Sequence, residues 1–417
     1  MKIMHILGRE IFDSSGFPTV QCQVFLENGL TVTASVPSGK SIGSAEAYEL
    51  RDGGSRLFGR GVTKAVDNIE RIIAPYFVGK EVNAVDMDLK MIELDGTVNK
   101  TTLGANTLLA VSMALYRAEA LIEKMELYEF IALILDSDSV RLPYPFFNLI
   151  NGAKHADNGL TIQEFMIIPV GVPNFRGALE AGIVFFQELK LLLKKLNMPV
   201  EVSDEGGFAV GFENNIQAFD ILLEISDITS KKYGLSCVFG IDVAASNYFD
   251  KNTGLYLFNN DFLNADGMID YYQDLIKKYP IYSIEDGLDE QDWIGWAKMT
   301  RLLENQIQIV GDDLFATNIF RIAYGIEQKC ATSVLIKPNQ IGTITETLQA
   351  IKLSKDHGYN TIISHRASET EDSFIADLSV GSSCEQIKAG GCSRSERLAK
   401  YNRLLCIEDR LLFNFEF

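Results

Sequence analysis

The chain reads as an α/β protein, with a (β/α)8 barrel over residues 140–417 and a smaller α+β N-terminal domain over residues 1–135. Three observations predict this. A length of 417 residues exceeds one ordinary compact domain. The first third runs from β-rich to helical patterns, as a meander backed by helices would. The remainder repeats short β-rich runs that end in a functional side chain, each followed by a helical pattern.

Taken in order, residues 18–26 and 30–36 are β-rich and flank Glu27-Asn28-Gly29. Asn-Gly between such runs predicts a hairpin, because a tight hairpin turn needs positive φ. Apolar residues recur at three- and four-residue steps in 85–94 and 107–124, which predicts helices. The polar run 136–139 precedes Leu142-Pro143-Tyr144-Pro145 and marks the expected domain boundary. Beyond it, β-rich runs lead to Asp242, Glu285, Asp312, Lys337, His365-Arg366 and Lys388. After a first gap of about 43 residues, these ends stand about 23–28 residues apart, which suits one strand, one helix and their loops. Functional groups at the C-terminal ends of successive parallel strands form the mouth of a barrel.

Composition narrows the class. A hydrophobic content of 47% supports a sizeable core, and a net charge of −18 disfavours nucleic acid and anionic membranes as partners. No apolar run is long enough to insert in a membrane, and residues 3–7, interrupted by His5, do not read as a secretory leader. The six cysteines are scattered without a Cys-x-x-Cys pair, the pattern of reduced thiols in a cytoplasmic protein.

Asp242, Glu285 and Asp312 in adjacent βα units place three hard oxygen donors at one mouth, a set that suits Mg²⁺. Any one of them alone would read as a helix cap or a solvated charge. In Asp204-Glu205-Gly206-Gly207, two glycines behind the acids permit a sharp turn and close approach of a ligand. Two of the four histidines, His155 and His365, sit in polar clusters. Ala34 to Ser41 ends in Gly-Lys-Ser like a phosphate-binding P-loop, yet Ala34 replaces the first glycine and Pro37 removes an N–H from the cradle.

With these residues in view, the chain resembles the enolase family from about residue 3 to residue 410. The likeness is carried by ordered blocks, among them Ile92-Glu93-Leu94-Asp95-Gly96-Thr97, His155-Ala156-Asp157-Asn158, Asp204-Glu205-Gly206-Gly207, Ser283-Ile284-Glu285-Asp286-Gly287-Leu288, Ser364-His365-Arg366 and Arg394-Ser395-Glu396-Arg397-Leu398-Ala399-Lys400. The resemblance implies an irregular TIM-type barrel opening ββαα, and reversible dehydration of 2-phosphoglycerate to phosphoenolpyruvate in glycolysis. It implies Lys337 as the base for the C2 proton and Glu205 as the acid for the C3 hydroxyl. Asp242, Glu285 and Asp312 would hold one Mg²⁺, and Ser41, in a lid loop, a second. His155, Gln163, Glu164, Ser364, His365, Arg366, Ala367 and Lys388 would line the substrate site. It further implies a homo-oligomer, dimer or octamer.

Several positions depart from the family pattern. Ala367 stands where a serine usually helps hold phosphate, Lys40 and Ile42 alter the lid, and Ser15, Phe17, Ala153, Ser203 and Pro338 replace other usual residues. Gln21 and Cys406 replace a glutamate and an arginine that often pair across the dimer interface. These changes feed the alternative of an enolase-like binding or surface protein, against which every proton-transfer and metal position is retained.

Overall fold

The computed structural model describes residues 1–39, 43–137, 139–156 and 158–413. Strands β1 (Ile3–Phe12), β2 (Pro18–Leu26) and β3 (Thr31–Ser35) form an antiparallel meander. The Asn-Gly hairpin forms where expected: Gly29 has φ +85°, and the Asn28 carboxamide oxygen accepts from the Leu30 N–H at 3.0 Å. Sequence patterning gave no sign of β1, where Arg9-Glu10 interrupts the apolar run. Helices α1 (Ala84–Asp95), α2 (Ala105–Ile122) and α3 (Leu127–Ile134) follow. The central helix, α2, packs on β2 and β3 and is buried along most of its length.

The second part opens with β4 (Tyr144–Asn151) and β5 (Glu164–Val170), then α4 (Phe175–Lys195) and α5 (Asn215–Tyr233). Strand and helix then alternate: β6 (Ser236–Asp242), α6 (Ala265–Lys278), β7 (Ile281–Glu285), α7 (Trp293–Leu303), β8 (Gln308–Gly311), α8 (Ile319–Gln328), β9 (Ser333–Ile336), α9 (Ile344–Asp356), β10 (Asn360–Ser364), α10 (Phe374–Gly381), β11 (Gln386–Lys388) and α11 (Ser395–Phe413). The eight strands β4–β11 close into a TIM-type barrel. Strand β5 runs antiparallel to β4 and β6, whereas the other neighbours pair parallel, so the barrel is irregular at its opening.

Layers inside the barrel keep the functional end rigid. Phe146, Met166, Ile168, Val310, Leu335 and Ile362 fill its middle. Toward the strand N-termini, Gln308 donates to Gln386 at 2.9 Å. Charged side chains crowd the opposite end. The P-loop reading fails on structure as well: residues 43–55 contain no helix, and Ser38 bridges instead to Ser368, with backbone hydrogen bonds of 2.8 and 3.1 Å.

Candidate active site

Strand register explains why acids distant in sequence meet. Glu164 on β5 lies opposite Asp242 on β6, and Asp242 lies beside Glu285 on β7. All three therefore occupy one row at the mouth and are buried. On the facing wall Ser364 is in register with Lys388. Asp312 and Lys337 follow the ends of β8 and β9. Glu205 is held from β4, where the Asn148 and Asn151 amides donate to its Oε2 at 3.1 and 3.3 Å. Since β9 and β4 stand three positions apart in the eight-strand ring, Lys337 and Glu205 approach the cavity from well-separated walls.

One cavity of about 30 Å³ is lined by His155, Gln163, Glu164, Glu205, Asp242, Asp312, Lys337, Ser364, His365, Arg366, Ala367 and Lys388. Of the expected residues, Glu285 lies just behind this surface, beneath Lys388. Ser41, with Lys40 and Ile42, lies outside the described residues.

The Lys388 ammonium lies 3.0 Å from Glu164, 2.9 Å from Glu285 and 3.4 Å from Asp242. Burial works against its charge, but Glu164, Glu285 and Asp242 outweigh burial and hold its pKa well above the ordinary lysine value. Burial, with the neighbouring Asp242 charge, pushes Glu285 well above the carboxylate range. Lys337 donates to Asp312 Oδ2. Burial lowers the lysine, yet Asp312 more than offsets it, so Lys337 is raised and protonated in this arrangement. For Lys337 to serve as a base it would first have to lose that proton, which requires Asp312 to be drawn into another interaction.

The acid side holds a further departure from expectation. His155 Nδ1 sits 2.9 Å from Glu205 Oε2 and 3.7 Å from Glu164 Oε1. Burial disfavours charge on Glu205, but His155 outweighs it, helped by His365 and Arg397, and holds Glu205 well below the usual range. Burial and the Glu205 charge push Glu164 up to about 8. In this state the proton of the carboxyl pair therefore resides on Glu164, not on Glu205.

Arg366 pairs with Glu46 at 2.9 Å and donates to Asn339 Oδ1 at 2.8 Å. Beside it, Ala367 brings only a methyl group to the cavity wall. Its neighbour Ser368 donates to Ser15 Oγ at 3.1 Å, so that hydroxyl is engaged away from the missing one. Ser203 donates to Asn151 and accepts from the Glu205 N–H, which makes it a brace for the acid loop.

The donor set fits a hard divalent cation, being buried, oxygen-only and in excess of the local positive charge. Gln163 Oε1 is also buried without a hydrogen-bond partner. Among the described residues, the groups with ligand atoms all within 4.8 Å of one another are His155–Glu164–Glu205 and Asp286–Asp312–Asp313. Asp242, Glu285 and Asp312 are not such a group, because Lys388 and Lys337 draw their oxygens to two separate ammonium groups. Asp286 and Asp313 were not singled out from the sequence, although each directly follows an assigned acid. Asp286 accepts from the Asp312 and Asp313 N–H groups at 2.9 and 2.8 Å and so fixes the turn after β8. Burial and Asp312 push Asp313 up to about 7. Glu46 and Arg397 had no local signal, since their partners lie far along the chain.

An irregular barrel with an acid-rich mouth, an amine and a carboxyl across it, and paired cationic anchors defines a lyase of the enolase superfamily type. The comparison with protein families agrees: residues 3–131 match the enolase N-terminal domain, and residues 139–417 match the enolase C-terminal TIM barrel domain. The chain belongs to the enolase family. Members of that family use Mg²⁺. No helix among the described residues is long and apolar enough to cross a membrane.

Proposed function

We propose that the protein interconverts 2-phosphoglycerate and phosphoenolpyruvate by loss and addition of water. The observation that carries this reading is a single cavity bearing Lys337, Glu205, Arg366 and Lys388, with the amine and the carboxyl on separate walls. Arg366 binds the phosphate and Lys388 the substrate carboxylate. Lys337 takes the C2 proton, and Lys388 stabilises the negative charge that develops on the carboxylate. Glu205 delivers a proton to the departing C3 hydroxyl, with Glu164 as the neighbouring reservoir that already holds one. His155, Gln163, Ser364 and His365 orient these groups. Two Mg²⁺ ions, when bound, supply positive charge to the substrate carboxylate. Asp242, Glu285 and Asp312 would hold the first, and Ser41 is the proposed ligand of the second.

The reaction adds a conjugated C=C bond, so ultraviolet absorbance follows phosphoenolpyruvate directly. Absorbance should rise with Mg²⁺, stop with chelator and return on adding Mg²⁺ back. Lys337→Ala should lower kcat by about 10²–10⁴. Folded, Mg²⁺-supplied protein that gives no absorbance change would overturn the reading. We further propose a division into domains at 1–135 and 140–417, a cytoplasmic location, and a homo-oligomer, dimer or octamer.

A further inference from the structure

Beneath the cavity lies a charged side chain that the proposed reaction does not use. Arg397, near the start of α11, is fully buried. Its Nη1 lies 2.6 Å from His365 Nδ1 and donates to the Arg366 carbonyl at 2.6 Å. Its Nη2 donates to the Asp204 carbonyl at 2.9 Å and the Ala367 carbonyl at 2.6 Å. Gly390, two residues after Lys388, packs so closely on it that a Cβ there would stand 2.7 Å from Arg397 Cδ. The guanidinium thus joins the loop that carries Glu205 to the His365–Ala367 segment, and the aliphatic stem of the same side chain packs against the loop after Lys388.

The contact with His365 has one chemical reading. A guanidinium carries only N–H donors, so His365 Nδ1 must accept and its ring proton must sit on Nε2. The ring also lines the cavity, which leaves Nε2–H as its donor there. We propose that Arg397 is a positioning residue: it fixes His365 as the neutral Nε2–H tautomer and ties the Glu205 loop to the anion-binding loop as one unit. Burial first, then the Arg397 charge, hold His365 well below the ordinary histidine value, with Lys388 and Lys337 acting the same way and Glu205 opposing. His365 then serves as a hydrogen-bond donor beside Glu205 and takes no proton itself. The catalytic part of this inference rests on the proposed dehydration; the tautomer does not.

Nitrogen-15 NMR of histidine-labelled protein tests it, since the chain has only four histidines and His365→Asn identifies the signal. The expected spectrum shows Nδ1 as an unprotonated acceptor and Nε2 protonated from about pH 5 to 8. An Nδ1–H tautomer, or an imidazolium within that range, overturns the proposal even if no variant of Arg397 folds. In Arg397→Lys, kcat should fall about tenfold or more while KM changes less than about threefold, with the His365 signal moving toward a tautomer mixture. Arg397→Gly should regain part of its turnover with added methylguanidinium. A native tautomer together with native kcat in Arg397→Lys would also sink the inference. Wild-type protein with the expected spectrum but no turnover would instead remove the dehydration reading alone.

Discussion

Ala367 isolates the energetic value of one hydroxyl. It sits beside Arg366 in the cavity wall, and the hydroxyl of the next residue, Ser368, is engaged with Ser15. Restoring serine adds a hydrogen bond to a charged acceptor, a gain of about 1–3 kcal/mol. Ala367→Ser should therefore lower KM for 2-phosphoglycerate about fivefold or more, measured by initial rates at saturating Mg²⁺. Most of the residues that line the cavity were legible at this scale because charged residues at strand ends announce themselves. Their charge states were not. Glu205 is expected to be a protonated acid, yet His155 at 2.9 Å holds it ionised and leaves the proton on Glu164. That assignment depends on burial and on partners tens of residues away.

At the scale of elements, Pro338 shows how local context absorbs a departure. A proline after Lys337 cannot donate to a sheet ladder, so from the sequence the Lys337 backbone is expected to be set slightly differently. The strand has already ended, and Pro338 opens the short helix Pro338–Ile341, a position where a missing N–H costs nothing. The Lys337 N–H is satisfied by Thr317 Oγ1 at 2.9 Å. Helix α9 is tied to the N-terminal part by a buried carboxylate. Asp88 on α1 accepts from the Thr345 N–H at 3.0 Å and from the hydroxyls of Thr345 and Ser112 at 2.7 and 2.8 Å, while its Oδ1 has no partner. Burial pushes Asp88 up to about 7, so folded protein keeps a proton that the unfolded chain sheds near 3.8. Its contribution to stability is lost as pH rises from 3.8 toward about 7. Asp88→Asn should flatten that part of the stability–pH profile and unfold at higher temperature than wild type at pH 8. Thermal melts across pH 4–8 check this; parallel profiles would contradict it.

Across the whole molecule, ion pairs join the N-terminal part to the barrel alongside a shared apolar core. Arg117 on α2 makes a bidentate pair with Asp372 at 2.7 Å and donates to the Thr33 carbonyl, while the Ser35 N–H donates to the same carboxylate at 2.9 Å. Lys100 reaches Glu346 at 2.8 Å, and Glu46 reaches Arg366. Burial raises Asp372, but Arg117 outweighs it and lowers the pKa below 3.8. This stabilisation is therefore present above 3.8 and lost as pH falls through the folded value. Arg117→Ala would leave a buried carboxylate without its cation, and should cost about 3–5 kcal/mol in denaturant unfolding at pH 7. The loss should shrink as pH falls below 3.8 and Asp372 takes up its proton.

The sequence by itself determined where each barrel strand from β6 to β11 ends and which polar side chain stands there, because a strand end and the residue that closes it are local features of a dozen residues. The irregular opening was legible only through resemblance, since β4 and β5 lack the spacing of the later units. Tertiary structure alone decided which ammonium serves which carboxylate, which of two acids keeps the proton, and that Arg397 joins three loops. Charge states and shared anchors depend on distances between strands far apart in the chain and on exclusion of water. Neither quantity is written in any single stretch of residues.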